Sequence, residues 1–356
     1  MAFTPDKDDT STVLELKNAM VIPPDRPRFK QKTGVITGTG EYVSLAETRR
    51  HGATLTQPPE VNTAAAAILP GTWLWAGSLY DHFGHFLIES CARLWRWSQL
   101  EQSADGILFV PKFPNRMPGL RPFQQAIIDA WGMKGRVQVI TEAATVEHLL
   151  VGEQSIGLGD RIAATEEMRR TAKTVFGREV QAEGPERLYI SRSKLPVETG
   201  ALLAEPEIEA ALKENGYEIF HPQDHDINTQ IARYKAARYI VVADGSPGHL
   251  IAYCATAAQR IAYLPRRAQW LDGPIDHIAA FHGERPTVLP APTREWLPKN
   301  PKAFRNVSYC WHDLPAIGAA LSSAGFVSSG TWSNPDERTI GERINGSVLT
   351  AEFSEA

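Results

Sequence analysis

Tyr239-Ile240-Val241-Val242 runs into Asp244-Gly245-Ser246-Pro247-Gly248, then into a helix-length segment from His249 to Ala258, then into Arg260-Ile261-Ala262-Tyr263-Leu264. An apolar run, a glycine-bearing turn, a helix and a second apolar run make one βαβ unit. The text just upstream has the same form. Arg187-Leu188-Tyr189-Ile190 and Tyr217 to Phe220 read as strands, and Pro206 to Asn215 and Ile227 to Ala237 as helices. Pro206 sits in the first turn of its helix and Gly216 just past its end, the usual asymmetry. Continuous apolar strands alternating with helices of about ten residues predict a parallel sheet.

Working towards the N-terminus, the alternation continues less regularly. Ile107 to Val110, Val137 to Ile140 and Val146 to Val151 read as strands, and Pro122 to Trp131 and Ala163 to Phe176 as helices. The stretch Gln181 to Glu186 reads as a linker. The expected organisation is an N-terminal arm over 1–35 and an α/β domain over 36–180. A second α/β domain over 181–295 and a C-terminal helix with a mobile tail over 296–356 would follow. The arm contains the proline-rich Ile22-Pro23-Pro24-Asp25-Arg26-Pro27 and is read as an edge segment.

The 356 residues carry a net charge of -4, with 43% hydrophobic and 22% charged residues. That is an ordinary globular mixture, not a disordered or fibrous one. A nucleic-acid partner is disfavoured, because no basic surplus exists. No apolar run approaches the ~20 residues of a membrane span, and the start MAFTPDKDDT lacks the apolar core of a signal peptide. Cys91, Cys254 and Cys310 form no CxxC pair, so a disulfide framework or thiolate zinc site is not expected. The expected compartment is the cytoplasm, with peripheral contact at the inner face of a membrane compatible with the sequence. Oligomeric state is not encoded in any pattern.

The first chemical signal is Tyr80-Asp81-His82-Phe83-Gly84-His85-Phe86-Leu87-Ile88-Glu89. At 100° per residue, Phe83, Leu87, Cys91 and Leu94 share one face and His85, Glu89, Arg93 and Arg96 the other. His85 and Glu89 are i and i+4, within reach of each other. A carboxylate beside an imidazole makes a proton-handling pair. His82 and Asp81 lie at the helix mouth. The competing reading is an ordinary solvated stripe. A third takes His82, His85 and Glu89 as metal ligands of a hydrolase, a weak match because the spacing is not HExxH.

The second signal lies at the carboxyl ends of the downstream strands, where open α/β sheets take ligands. Ser191-Arg192-Ser193-Lys194 offers two cations and two hydroxyls suited to a diphosphate, or a solvated loop. His221 to Asp226 reads as a capping loop with Asp226 as N-cap. Asp244-Gly245-Ser246-Pro247-Gly248-His249 joins a strand to a helix whose first N–H groups suit an anion. It is neither a Walker loop nor GxGxxG.

These segments together resemble glycosyltransferase family 61. The 80–89 stretch is similar to the family's His-x-x-x-Glu/Asp helix. Leu188-Tyr189-Ile190-Ser191-Arg192-Ser193, Ile227-Asn228-Thr229-Gln230-Ile231 and Ile240-Val241-Val242-Ala243-Asp244-Gly245-Ser246 resemble its later segments in order and spacing. Downstream of Ser193 the chain departs from the family pattern, keeping only Glu205 of a basic and Asn-Glu stretch. Pro247-Gly248 also replaces the usual small or aliphatic pair. The resemblance implies a GT-B-like α/β architecture of two Rossmann-like domains facing a cleft, and an inverting, metal-independent transfer without a cofactor. The partners implied are a nucleotide sugar and a hydroxyl acceptor, a cell-surface glycan. It implies catalytic roles for His85, Glu89 and His82, with Glu89 as base or as orienter of His85. It implies donor binding by Arg192, Lys194, Asp244, Gly245, Ser246 and His249. A non-catalytic glycan- or nucleotide-binding member of the fold is the alternative.

Overall fold

In the computed structural model the chain forms two compact units, dividing after Glu179. The structure describes residues 13–60, 67–101, 103–116, 119–133, 135–196, 199–268, 272–300, 307–328, 332–336, 338–339, 342–343 and 353–355. The N-terminal decapeptide, and half of the stretch 325–356 expected to form a tail, lie outside these residues.

The first unit is built on a six-stranded sheet. Across it run Gly34–Ile36, Val13–Ile22, Ala144–Gly152, Ala67–Leu79, Gly106–Pro111 and Arg136–Val139. The last four strands are mutually parallel, and Val13–Ile22 is antiparallel to both its neighbours. Val13–Ile22 therefore lies inside the sheet, where an edge arm was expected. Ile107 to Val110 are buried throughout, as strands covered on both faces must be. Trp73, Trp75, Leu108, Val146 and Leu149 fill the core on one side.

The second unit holds five parallel strands in the order Glu218–Phe220, Arg187–Ile190, Tyr239–Ala243, Arg260–Leu264, Thr287–Val288. Numbered along the chain this is 2-1-3-4-5, a doubly wound order whose switch point lies between Arg187–Ile190 and Tyr239–Ala243. The helix Glu205–Glu214 takes Pro206 in its first turn and buries Ile208 and Leu212 one turn apart. Gly216, at φ +79°, ends it in the left-handed conformation that a side chain would strain. Asp226 caps the helix Ile227–Ala236 through a 2.7 Å bond from the Thr229 N–H, as the capping reading expected. The helix Leu314–Ser323 packs Leu314, Ile317 and Leu321 into this unit's core. A small antiparallel sheet sets Arg294–Pro298 between Tyr309–Trp311 and Phe353–Glu355. Phe353–Glu355, in the stretch read as a tail, is thus a paired strand. The chain is a mixed α/β protein with two parallel-rich sheets, consistent with Rossmann-like domains.

Candidate active site

The strand Ala67–Leu79 delivers Tyr80, Asp81 and His82 to the start of a helix that changes type three times. Phe83–His85 is α, Phe86–Ser90 π, Cys91–Arg96 3-10 and Trp97–Leu100 α again. A π turn inside a helix recurs at functional sites. His85 Nδ1 lies 2.8 Å from Glu89 Oε2, so the expected pair forms. Glu89 is 1% exposed, whereas the His85 side chain is 33% exposed. The His82 ring stands 5.1 Å from that of His85. Asp81 is held by the Arg121 guanidinium.

Arg93 and Arg96 do not continue a polar stripe. Both are buried. Arg93 donates to the carbonyls of Gly152 at 2.9 Å, Leu45 at 3.0 Å and Glu47 at 2.8 Å. Arg96 stacks 4.4 Å from the Trp95 ring. The 100° periodicity fails beyond Phe86 because the π and 3-10 segments advance by a different angle per residue.

Sequence reasoning missed the residue that completes the pair. Arg50 grips Glu89 with both arms of its guanidinium, at 2.8 and 2.6 Å. This bidentate geometry is the strong form of a carboxylate ion pair. The same guanidinium lies 3.3 Å from His85 Nδ1 and 5.6 Å from the Tyr80 ring centre. Arginine only donates, so it cannot take the His85 proton. The shorter contact assigns that proton to the Nδ1–Glu89 bond, and Nε2 keeps its lone pair. Burial alone would raise the Glu89 carboxyl. The bonds from His85 and Arg50 outweigh it and hold the group below its ordinary value. Burial, assisted by His85, lowers His82. Lys112, whose ammonium lies 5.8 Å from the Tyr80 ring, is pushed down to about 8 by burial and by the Arg50 charge.

In the second unit three adjacent parallel strands end in charged residues. Arg192 follows Arg187–Ile190, Asp244 follows Tyr239–Ala243, and Arg266 and Arg267 follow Arg260–Leu264. Asp244 is 2% exposed. It accepts from the Tyr263 hydroxyl at 2.5 Å and from Arg267 Nε and Nη2 at 3.3 Å. Burial raises its carboxyl, but Arg267, Arg266 and Tyr263 together hold it below the ordinary value. Arg192 serves the loops: its Nη1 donates to the Asp244 carbonyl at 2.9 Å, and its Nη2 to the Gly200 and Thr199 carbonyls at 2.8 and 3.1 Å. Gly245 permits this approach, because a Cβ there would lie 3.1 Å from Arg192 Nη1. Lys194 reaches Asp224 at 3.0 Å on the surface. Ser246 and Pro247 open the helix Pro247–Cys254. His249, in the first turn, is buried with its Nδ1 3.2 Å from His277 Nδ1.

Arg266 and Arg267 were legible by the signal that singled out Arg192, a cation directly after a buried strand. Lys194→Ala is expected to change unfolding free energy by less than about 1 kcal/mol, since its ion pair is exposed. Thermal melting checks this.

Residues 83–261, half of the chain, match the family described as glycosyltransferase 61. The chain belongs to that family. It is a transferase, and the match spans both the His85–Glu89 helix and the switch-point loops of the second unit. The match begins downstream of Arg50. No curated protein matches the chain. Among the described residues no helix is long and apolar enough to cross a membrane, and no group of three or more His, Cys, Asp or Glu is arranged to hold a metal ion.

Proposed function

We propose that the protein transfers a sugar from a nucleotide sugar to a hydroxyl of a surface glycan by a GT-B-type, inverting, metal-independent mechanism. The observation that carries this reading is the Arg50–Glu89–His85 chain of contacts, which leaves an imidazole nitrogen available on a partly exposed ring. Glu89 is buried and doubly engaged, so it acts as orienter and His85 as base. His85 Nε2 takes the acceptor proton while the acceptor oxygen bonds to the anomeric carbon. The ionised Glu89 stabilises the resulting imidazolium. The bond from the anomeric carbon to the diphosphate oxygen breaks, and the diphosphate leaves with the electron pair. His82, its pKa lowered by burial and by His85, stands beside the His85 ring.

Within the second unit, Arg267, whose side chain is 21% exposed, and the N-terminus of Pro247–Cys254 at Gly245 and Ser246 are the groups suited to a donor diphosphate. Asp244 aims Arg267, and Arg192 fixes the loop on which Asp244 and Gly245 sit. Lys194 contributes long-range charge. Three buried cysteines without disulfides suit a reducing cytoplasmic setting, where glycan assembly draws on nucleotide sugars.

The test is nucleotide release from UDP- and GDP-sugars, with CMP-sugars, whose leaving group is a monophosphate, as the contrast, with and without acceptor glycans. Release by the wild type that is lost in His85→Ala supports the reading. Binding without turnover across the panel overturns it.

A further inference from the structure

The loop Asp25 to Lys30 is exposed along its whole length. Phe29 at its tip is 63% exposed, although a lone aromatic ring in water is unfavourable. The loop is nevertheless firmly held from below. The buried Gln31 donates its amide to the Arg26 carbonyl at 3.1 Å and to the Lys112 carbonyl at 2.9 Å. Lys112, itself buried, donates to the Phe29 carbonyl at 2.8 Å. The Phe29 ring lies 5.8 Å from the guanidinium of Arg50, the same group that grips Glu89. Two buried polar side chains thus fix an exposed ring at the margin of the His85 cluster. Fixing a recognition element in advance lowers the cost of binding.

The loop's charges sort into two kinds. Arg26 pairs with Asp25 at 3.2 Å and Lys32 with Glu60 at 2.5 Å. Arg28 and Lys30, flanking Phe29, are in no ion pair among the described residues. An aromatic face attracts the C–H face of a pyranose, and flanking cations attract an anion on the same sugar.

We propose that Arg28, Phe29 and Lys30 form an acceptor subsite for an anionic saccharide. The sugar stacks on Phe29, and its carboxylate or phosphate is held by the two cations. The inference rests on the acceptor reaching His85, as in the transferase reading. An anionic membrane is the weaker fit, because adsorption takes a cluster of roughly 4–8 cations, more than this loop leaves unpaired.

The experiment uses the full chain and measures binding by calorimetry to oligogalacturonate, a hyaluronan tetrasaccharide and a sugar-phosphate oligomer. Methyl-esterified or dephosphorylated forms serve as neutral counterparts. The expected result is a preference of about tenfold or more for a charged member. Phe29→Ala weakens charged and neutral forms alike, whereas the Arg28→Ala/Lys30→Ala double variant abolishes the charge preference. All three positions are exposed, so melting temperatures should stay within a few degrees. Absence of binding across the charged panel, equal binding of charged and neutral forms, or unchanged binding by the variants overturns the subsite. So does loop-dependent binding to phosphatidylglycerol vesicles in place of the saccharides. Nucleotide release, measured separately, distinguishes failure of the subsite from failure of the transferase reading.

Discussion

Glu89→Ala is expected to abolish transfer and also to lower the melting temperature sharply. The substitution leaves the Arg50 guanidinium, whose side chain is 15% exposed, without its carboxylate. Removing one partner of a buried pair costs about 3–5 kcal/mol, because the remaining charge is stranded. For a unit of this size that is a fall on the order of 10 °C. Arg50→Ala is expected to produce the same double loss from the other side. His85→Ala is different. Its ring is partly exposed, so the fold should survive within a few degrees, while loss of the base reduces turnover by about 10²–10⁴. Activity within tenfold of wild type in His85→Ala would remove the imidazole from the mechanism. The pair also predicts an acid limb. Glu89 is held below its ordinary value, so its contribution to stability is complete above the unfolded value of about 4.3. It is lost as pH falls from there through the lower folded value. Glu89→Gln should be less stable at neutral pH and should show a shallower loss between pH 5 and 2.

The second large effect is expected at Asp244. Its carboxylate neutralises Arg267 and accepts from the buried Tyr263 hydroxyl, while Arg266 adds its charge from nearby. Asp244→Ala strands a cluster of positive charge and a phenol, at about 3–5 kcal/mol, and should remove donor binding with the fold of the second unit. Arg267→Lys keeps a charge to balance Asp244 and loses the planar guanidinium that can hold Asp244 on one edge and present N–H donors on another. Its melting temperature should stay near wild type while KM for the nucleotide sugar rises about tenfold. A KM unchanged in Arg267→Lys would move the diphosphate elsewhere.

The second unit was legible because each element carries its own signal. Strands buried on both faces read as apolar runs, and Pro206, Gly216 and Asp226 punctuate the helices between them. One boundary slipped: the helix expected to reach Ala258 ends at Cys254. Ala255 turns to an extended conformation there, and Gln259 Oε1 accepts from the Thr256 N–H at 2.8 Å. The first unit hid more. Val13–Ile22 includes Glu15, Lys17 and Asn18, the last at φ +51°, and reads as polar chain. It is a strand because it pairs with residues far along the sequence, Val13 opposite Gly152. The thirteen residues of Ala67–Leu79 contain Pro70, Gly71 and Gly77, which read as breakers. Gly71 and Gly77 instead take positive φ within the strand, and its register shifts beside Gly77. Of the site, the His85–Glu89 pair was visible from local spacing. Arg50 was not, because nothing within a turn of it marks its partner 39 residues away.

Arg93 gives the first unit a further property. It sits on the same helix as Glu89, and its guanidinium fastens Leu45 and Glu47, the residues that lead directly into Arg50. One helix therefore supplies both the buried anion and the tether that brings in its counter-ion. An excised fragment starting at Phe83, where the family match begins, would keep Glu89 and Arg93 while discarding Arg50 and two of the three carbonyls Arg93 holds, those of Leu45 and Glu47. In such a fragment the first unit should lose its defined core, so the smallest autonomous version of this enzyme's front half must reach back to the strand beginning at Val13.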